Sequence, residues 1–204
     1  MLSIVVLAGG ESRRMGQNKA LMPFLKQPLI QRVVRRLAPY ADELLVITNK
    51  PDQYEFMGVP LTPDILPGRG ALGGLYTALS SAHQPLAAVV ACDMPFVNVD
   101  LLMALRDELL QGNWDAVVPD SGEGAEPFHA VYRPATCLPP IAAAIQADKW
   151  RVDAWFGDVR LKYFTSEEIG AYDPQRLAFI NVNTPDEWKE AERIAALQED
   201  AQEL

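Results

Sequence analysis

The sequence predicts an α/β fold built on a mostly parallel central sheet, and three observations carry the prediction. Short apolar runs rich in β-branched residues alternate with stretches of helical periodicity through about residue 119. Polar or glycine-rich segments follow the apolar runs or lie between them, where an open α/β sheet places its ligand site. The 204 residues, 49% apolar and 22% charged, suit a single core, since chains usually split into domains only beyond roughly 100–200 residues. Residues 1–204 are therefore expected to form one domain.

Residues 3–8 form a continuous apolar run, as a strand buried on both faces requires. Leu29, Ile30, Val33, Val34 and Leu37 then recur at helical spacing with Arg and Gln between them. A second strand is expected at 44–48 and a glycine-opened helix at 72–82. Residues 86–92 are the most apolar strand candidate. A helix over 99–111 has Asn98 or Asp100 to cap it, and a strand follows at 115–119. Beyond that the alternation loosens: strands at 130–133 and 160–165, a helix at 135–147, and a final helix over 185–198 with Pro185 in its first turn. This less regular half is expected to cover one end of the sheet and help build a cleft there.

The net charge of −9 argues against nucleic acid as the main partner. Residues 186–204 hold seven acids against two bases. Residues 1–30 reverse the balance, with Arg13, Arg14, Lys19 and Lys26 against Glu11, which suits a small anionic ligand or a solvated surface. No apolar run approaches the ~18 residues of a membrane span. The start lacks a basic leader, and Cys92 and Cys137 make no disulfide framework or zinc array. A cytoplasmic protein with no membrane partner is expected.

Four segments carry chemistry. In Leu7-Ala8-Gly9-Gly10-Glu11-Ser12-Arg13-Arg14-Met15-Gly16-Gln17-Asn18-Lys19, two glycines let backbone N–H groups approach a phosphate chain, and two arginines and a lysine supply cations for its oxygens. It is no P-loop, because Gly-Lys-Ser/Thr is missing at the required spacing. In Pro67-Gly68-Arg69-Gly70-Ala71-Leu72-Gly73-Gly74-Leu75, the glycines mimic a dinucleotide fingerprint, but Pro60, Pro63 and Pro67 forbid the strand that must precede one. The segment reads instead as a loop near a nucleotide base or sugar, with Asp64 placed to accept from guanine N1 and N2; a plain strand–helix connection is the alternative. Cys92-Asp93-Met94-Pro95 ends the most apolar strand with an acid, which is costly there unless it binds a cation or several donors. Mg²⁺ beside phosphates fits, and helix capping is the alternative. Cys92 reads as a small core residue, and the isolated His83 and His129 lack metal-ligand spacing. In Phe179-Ile180-Asn181-Val182-Asn183-Thr184-Pro185, the two asparagines share one side of an extended segment, either to bind a phosphate or pterin edge or to cap the next helix.

Together these motifs resemble the molybdenum cofactor guanylyltransferases over nearly the whole chain. The resemblance implies a Rossmann-like nucleotidyltransferase fold, three layers α/β/α around a mostly parallel sheet, with GTP as donor, Mg²⁺ as cofactor and molybdopterin as acceptor. It implies that Leu7, Ala8, Gly9, Gly10, Lys19, Asn49, Asp64 and Asp93 bind GTP, that Asp93 also holds the metal, and that Asn181 and Asn183 face molybdopterin. Many relatives carry a glycine and an aspartate where this chain has Gln17 and Asn18, and proline where it has Ala71. The expected reaction moves GMP to the molybdopterin phosphate by in-line attack, with Arg13, Lys19 and Asp93 as catalytic residues and pyrophosphate as leaving group. Transient contacts with cofactor-biosynthesis proteins and acceptor molybdoenzymes are implied as well. Two rivals accompany this reading: the same transfer from CTP, and a non-catalytic GTP-binding adaptor that delivers the cofactor.

Overall fold

A computed structural model of the protein describes residues 1–9 and 18–202. The chain runs β1 (Leu2–Leu7), a short hairpin of β2 (Pro23–Phe24) and β3 (Gln27–Pro28), α1 (Leu29–Leu37), β4 (Glu43–Ile47) and β5 (Leu61–Thr62). It continues with α2 (Gly70–Ser81), β6 (Leu86–Ala91), α3 (Val99–Gln111), β7 (Ala116–Pro119), β8 (His129–Tyr132) and α4 (Pro134–Gln146). Last come β9 (Leu161–Phe164), α5 (Ser166–Gly170) and α6 (Pro185–Gln202).

Seven strands form one sheet in the order β5-β4-β1-β6-β8-β7-β9. Every neighbouring pair is parallel except those made by β8, which runs antiparallel to both β6 and β7. The centre is buried on both faces. Along β1, Ile4 and Val6 enter one apolar cluster with α1 and α3, while Val5 enters a second with α2 and α4. That alternation is the two-residue period of a strand and produces the three layers. A third cluster joins the hairpin to α6 through Phe24, Phe96, Val182 and Trp188. Asn98 is the N-cap of α3, its side chain accepting from Leu101 N–H at 3.0 Å.

The regular first half matches the sequence expectation closely; the second half departs from it. Its expected strands at 130–133 and 160–165 are present as β8 and β9, but instead of only covering one end of the sheet this half extends it, with both strands joining the same sheet. The strand between prolines is a smaller correction: Leu61–Thr62 does pair with β4, at the sheet edge. Pro60 and Pro63 flank it and limit it to two residues, and it ends well before Gly68, so the dinucleotide fingerprint still lacks its strand.

The order of connections decides where a ligand fits. From β1 the chain moves to β4 and β5 on one side, then returns to β6 on the other. Between β1 and β6 lies a topological switch point, and open α/β sheets receive their ligands beyond the carboxyl ends of the strands at such a point.

Candidate active site

Backbone hydrogen bonds draw four segments together at that end of the sheet. Cys92 N–H donates to the Leu7 carbonyl at 3.1 Å, Ala8 N–H to Ile47 at 2.9 Å, and Val182 N–H to Asp93 at 3.1 Å. The last of these binds the asparagine segment, from the far end of the sequence, to the acid at the end of β6. The side chains follow. Lys19 Nζ stands 3.2 Å from Asp93 Oδ2 and 2.7 Å from Asn183 Oδ1. The Lys19 and Asp93 side chains are 14% and 24% exposed, sheltered enough for charge to act strongly and open enough to receive a ligand.

The neighbouring Cys92 thiol is pushed up to about 12, by burial first and by the Asp93 charge next. It remains a thiol at neutral pH and supplies no nucleophile, in keeping with its reading as a core residue.

A second group lies along the same sheet end, after β4 and β5. Asn49 Oδ1 accepts from Asp64 N–H at 2.9 Å. Asp64 Oδ1 accepts from Leu66 N–H at 3.0 Å and from the buried Thr77 hydroxyl at 2.6 Å. Asp64 thus braces the loop ahead of α2, and among the described residues these bonds leave its Oδ2 open. The loop needs glycine for two reasons. Gly70 has φ +66°, and a Cβ on Gly73 would come within 2.8 Å of Arg69 Cβ and 3.2 Å of the Leu66 carbonyl.

Two residues absent from the sequence-derived site support Lys19 and Asn183. Tyr54 is fully buried, and its hydroxyl accepts from Asn18 Nδ2 at 2.8 Å. That contact spans 36 positions, so no local pattern could announce it. Glu187 Oε2 accepts from the N–H groups of Asn183 and Thr184 at 2.7 and 2.9 Å, while Glu187 N–H donates back to Thr184 Oγ1. Thr184-Pro185-Asp186-Glu187 is a capping box.

Comparison with known proteins places this geometry. The family model of a MobA-like NTP transferase domain matches residues 4–158. A molybdenum cofactor guanylyltransferase (probable) of Pelotomaculum thermopropionicum is 34% identical, over 94% of this chain and 92% of the relative. A probable one of Peptoclostridium acidaminophilum is 31% identical over 94% and 89%.

The chain belongs to the molybdenum cofactor guanylyltransferase family.

Solved structures agree. Molybdopterin-guanine dinucleotide biosynthesis protein A of Archaeoglobus fulgidus superposes with a TM-score of 0.82 at 27% identity, covering 95% of this chain and 98% of that one. A 2-C-methyl-D-erythritol 4-phosphate cytidylyltransferase of Thermus thermophilus shares the fold, with a TM-score of 0.70 at 15% identity over 94% and 98%. This guanylyltransferase is thus a nucleotidyltransferase with the expected Rossmann-like sheet.

Within the guanylyltransferase, Lys19, Asp93 and Asn183 come together, while Asn49 and Asp64 form the adjoining group. Leu7 and Ala8 lie at the end of β1, with Gly9 exposed beyond them. Asn181 is half-buried beside the buried Val182, and its Nδ2 donates to the Phe179 carbonyl at 3.2 Å. Gly10 and Arg13 lie outside the described residues. The match to the family model ends at residue 158, before Asn181 and Asn183.

The donors present suit a magnesium ion bound jointly with substrate. Asp93 uses Oδ2 toward Lys19, and its Oδ1 has no hydrogen-bond partner among the described residues. No group of three or more His, Cys, Asp or Glu is gathered among the described residues in a way that could cage a metal. Mg²⁺ is typically held by one or two carboxylates, with phosphates and water completing the octahedron.

Proposed function

We propose that this guanylyltransferase transfers the GMP unit of GTP to the terminal phosphate of molybdopterin or its molybdenum form, releasing pyrophosphate. The Lys19 ammonium, placed between Asp93 and Asn183, carries the reading. It stands where a nucleotide triphosphate over the β1–β6 switch point meets an acceptor held by the asparagine segment. A phosphate oxygen of molybdopterin attacks the α-phosphorus, the new P–O bond forms, and the bond to the β-phosphate oxygen breaks in line. No protein nucleophile is needed, so the residues act by positioning and by offsetting charge.

Lys19 holds non-bridging phosphate oxygens and steadies the leaving pyrophosphate. Arg13 is assigned the same task from the basic segment after β1, and the backbone of Leu7, Ala8, Gly9 and Gly10 lines the phosphate chain. Asp64 and Asn49 hold the guanine and ribose side, the Asp64 carboxylate accepting from N1 and N2. Asp93 is the residue that would hold Mg²⁺, which when bound supplies charge neutralisation and alignment of the phosphate oxygens. Asn183 and Asn181 meet the acceptor with neutral amides, adding no negative charge beside two anionic substrates.

A nucleotide panel with reduced molybdopterin tests the proposal by pyrophosphate release and by the mass of the dinucleotide formed. GTP is expected to be the preferred donor, and release should depend on added Mg²⁺. Preference for CTP would make the protein a cytidylyltransferase. Tight GTP binding without pyrophosphate release over hours would make it a delivery adaptor.

A further inference from the structure

Lysine is a poor positioning element alone, because its four-carbon stem carries about 2 kcal/mol of rotamer entropy. What aims it must lie in the backbone that presents it. Lys19 opens a single 3-10 turn, Lys19–Leu21, held by Leu21 N–H to the Asn18 carbonyl at 3.0 Å and Met22 N–H to the Lys19 carbonyl at 3.1 Å. Asn18 stands at the N-cap of that turn, where an asparagine side chain normally accepts from the turn's own N–H groups. Here it makes no cap bond. Its amide is turned outward, to the Tyr54 hydroxyl at 2.8 Å and to Gln53 Oε1 at 3.4 Å.

Tyr54 is well placed to hold it. The ring is completely buried in the cluster that also contains Ile4, Val6 and Val46, so the hydroxyl has little freedom. Thr48, at the end of β4, and Cys92, beside Asp93, are its other polar neighbours. One hydroxyl therefore lies where the carboxyl ends of β4 and β6 meet the segment that presents Lys19.

We infer that Tyr54 is a positioning residue for Lys19: its hydroxyl clamps the Asn18 amide and so aims the ammonium at the Asp93–Asn183 pair. The inference rests on the proposed role of Lys19 at the phosphates. Removing the hydroxyl leaves the fold its buried ring while the lysine loses its fixed base, so the cost falls on turnover more than on nucleotide affinity.

The test uses the full chain as wild type, Tyr54→Phe, Asn18→Ala and the double variant. Each single change should lower kcat about five- to tenfold, the size of one lost hydrogen bond, with KM for GTP within about twofold of wild type. The double variant should be no slower than the worse single one, because both remove the same clamp. Asn18→Asp should recover most of the rate, since its carboxylate accepts from the Tyr54 hydroxyl, but not when combined with Tyr54→Phe. A second readout needs no activity: the rate at which acetic anhydride acetylates Lys19, followed by peptide mass spectrometry. It should rise several-fold in Tyr54→Phe. Unchanged kcat and unchanged labelling in Tyr54→Phe would overturn the inference, as would additive losses in the double variant. If Tyr54→Phe fails to fold, Asn18→Ala carries both readouts. A wild-type protein that releases no pyrophosphate would sink the proposed function instead, and the labelling would still decide the clamp.

Discussion

At Asp93 a carboxylate closes the most apolar strand of the protein and faces a lysine that also touches an amide from 164 positions away. Asp93→Asn keeps the shape and removes the charge. Turnover should fall by about a hundredfold or more and the apparent Mg²⁺ requirement should rise, while the melting temperature stays near wild type; initial rates over a Mg²⁺ titration measure both. The two asparagines should separate under the same kind of change. Asn181→Asp adds a charge on the side proposed for the acceptor, so molybdopterin affinity should drop while GTP affinity is kept. Asn183→Asp puts a carboxylate 2.7 Å from the Lys19 ammonium and diverts that cation, so affinity for both substrates should fall. Calorimetric titration of each variant with each substrate distinguishes the two outcomes. Sequence alone treats these positions as equivalent, because alternation gives a shared face but not which amide meets the lysine.

The elements that present the site are held by their ends. At the start of α6, Glu187 accepts from two backbone N–H groups, and its carboxyl is held below the usual range chiefly by the bond from Asn183 N–H. A group with a depressed folded pKa contributes stability above its unfolded pKa and loses it as pH falls through the folded value. Glu187→Gln keeps an acceptor at the cap but removes its charge, so it should lower stability slightly at neutral pH, and the difference from wild type should shrink in acid, as denaturant melts at stepped pH would show. Because Asn183 shares this cap, the same variant should loosen the acceptor side. Asn98 ahead of α3 is legible as a cap in the sequence; the capping box Thr184-Pro185-Asp186-Glu187 has a local signature too, but the cap expected there from sequence is an asparagine. The hairpin of β2 and β3, the edge strand β5 and the five-residue α5 were not legible, since two to five residues hold too little periodicity to register.

For the molecule as a whole, the alternation of apolar runs and helical stretches gave the sheet and its layers, but strand direction has no residue signature. The reversal of β8 follows from the short connection β7 makes to it and shows only in the pairing. His129, the first residue of β8, is fully buried against the Phe179 ring, with the Asn98 backbone as its polar neighbour. Burial lowers its pKa from 6.5 to about 4. Between those values the unfolded chain takes up a proton that the folded chain does not, so stability should fall as pH drops from about 6.5 to about 4. His129→Leu should flatten that limb of a stability–pH curve measured by urea unfolding, without moving the loss below pH 4 that the carboxylates cause. If the slope survives the substitution, another group is responsible for it.

The bond between Lys19 and Asn183 also sets a timetable. A ribosome makes β1, Lys19, the Asp64 loop and Asp93 first, and must add some ninety residues more before Asn183 exists. At 5–20 residues per second that interval is roughly 5–20 s. Throughout it, lysine and aspartate lack the amide that completes the triad. The growing polypeptide therefore holds the residues assigned to GTP well before it holds those assigned to the acceptor, and the centre is finished only once the asparagine segment has been made.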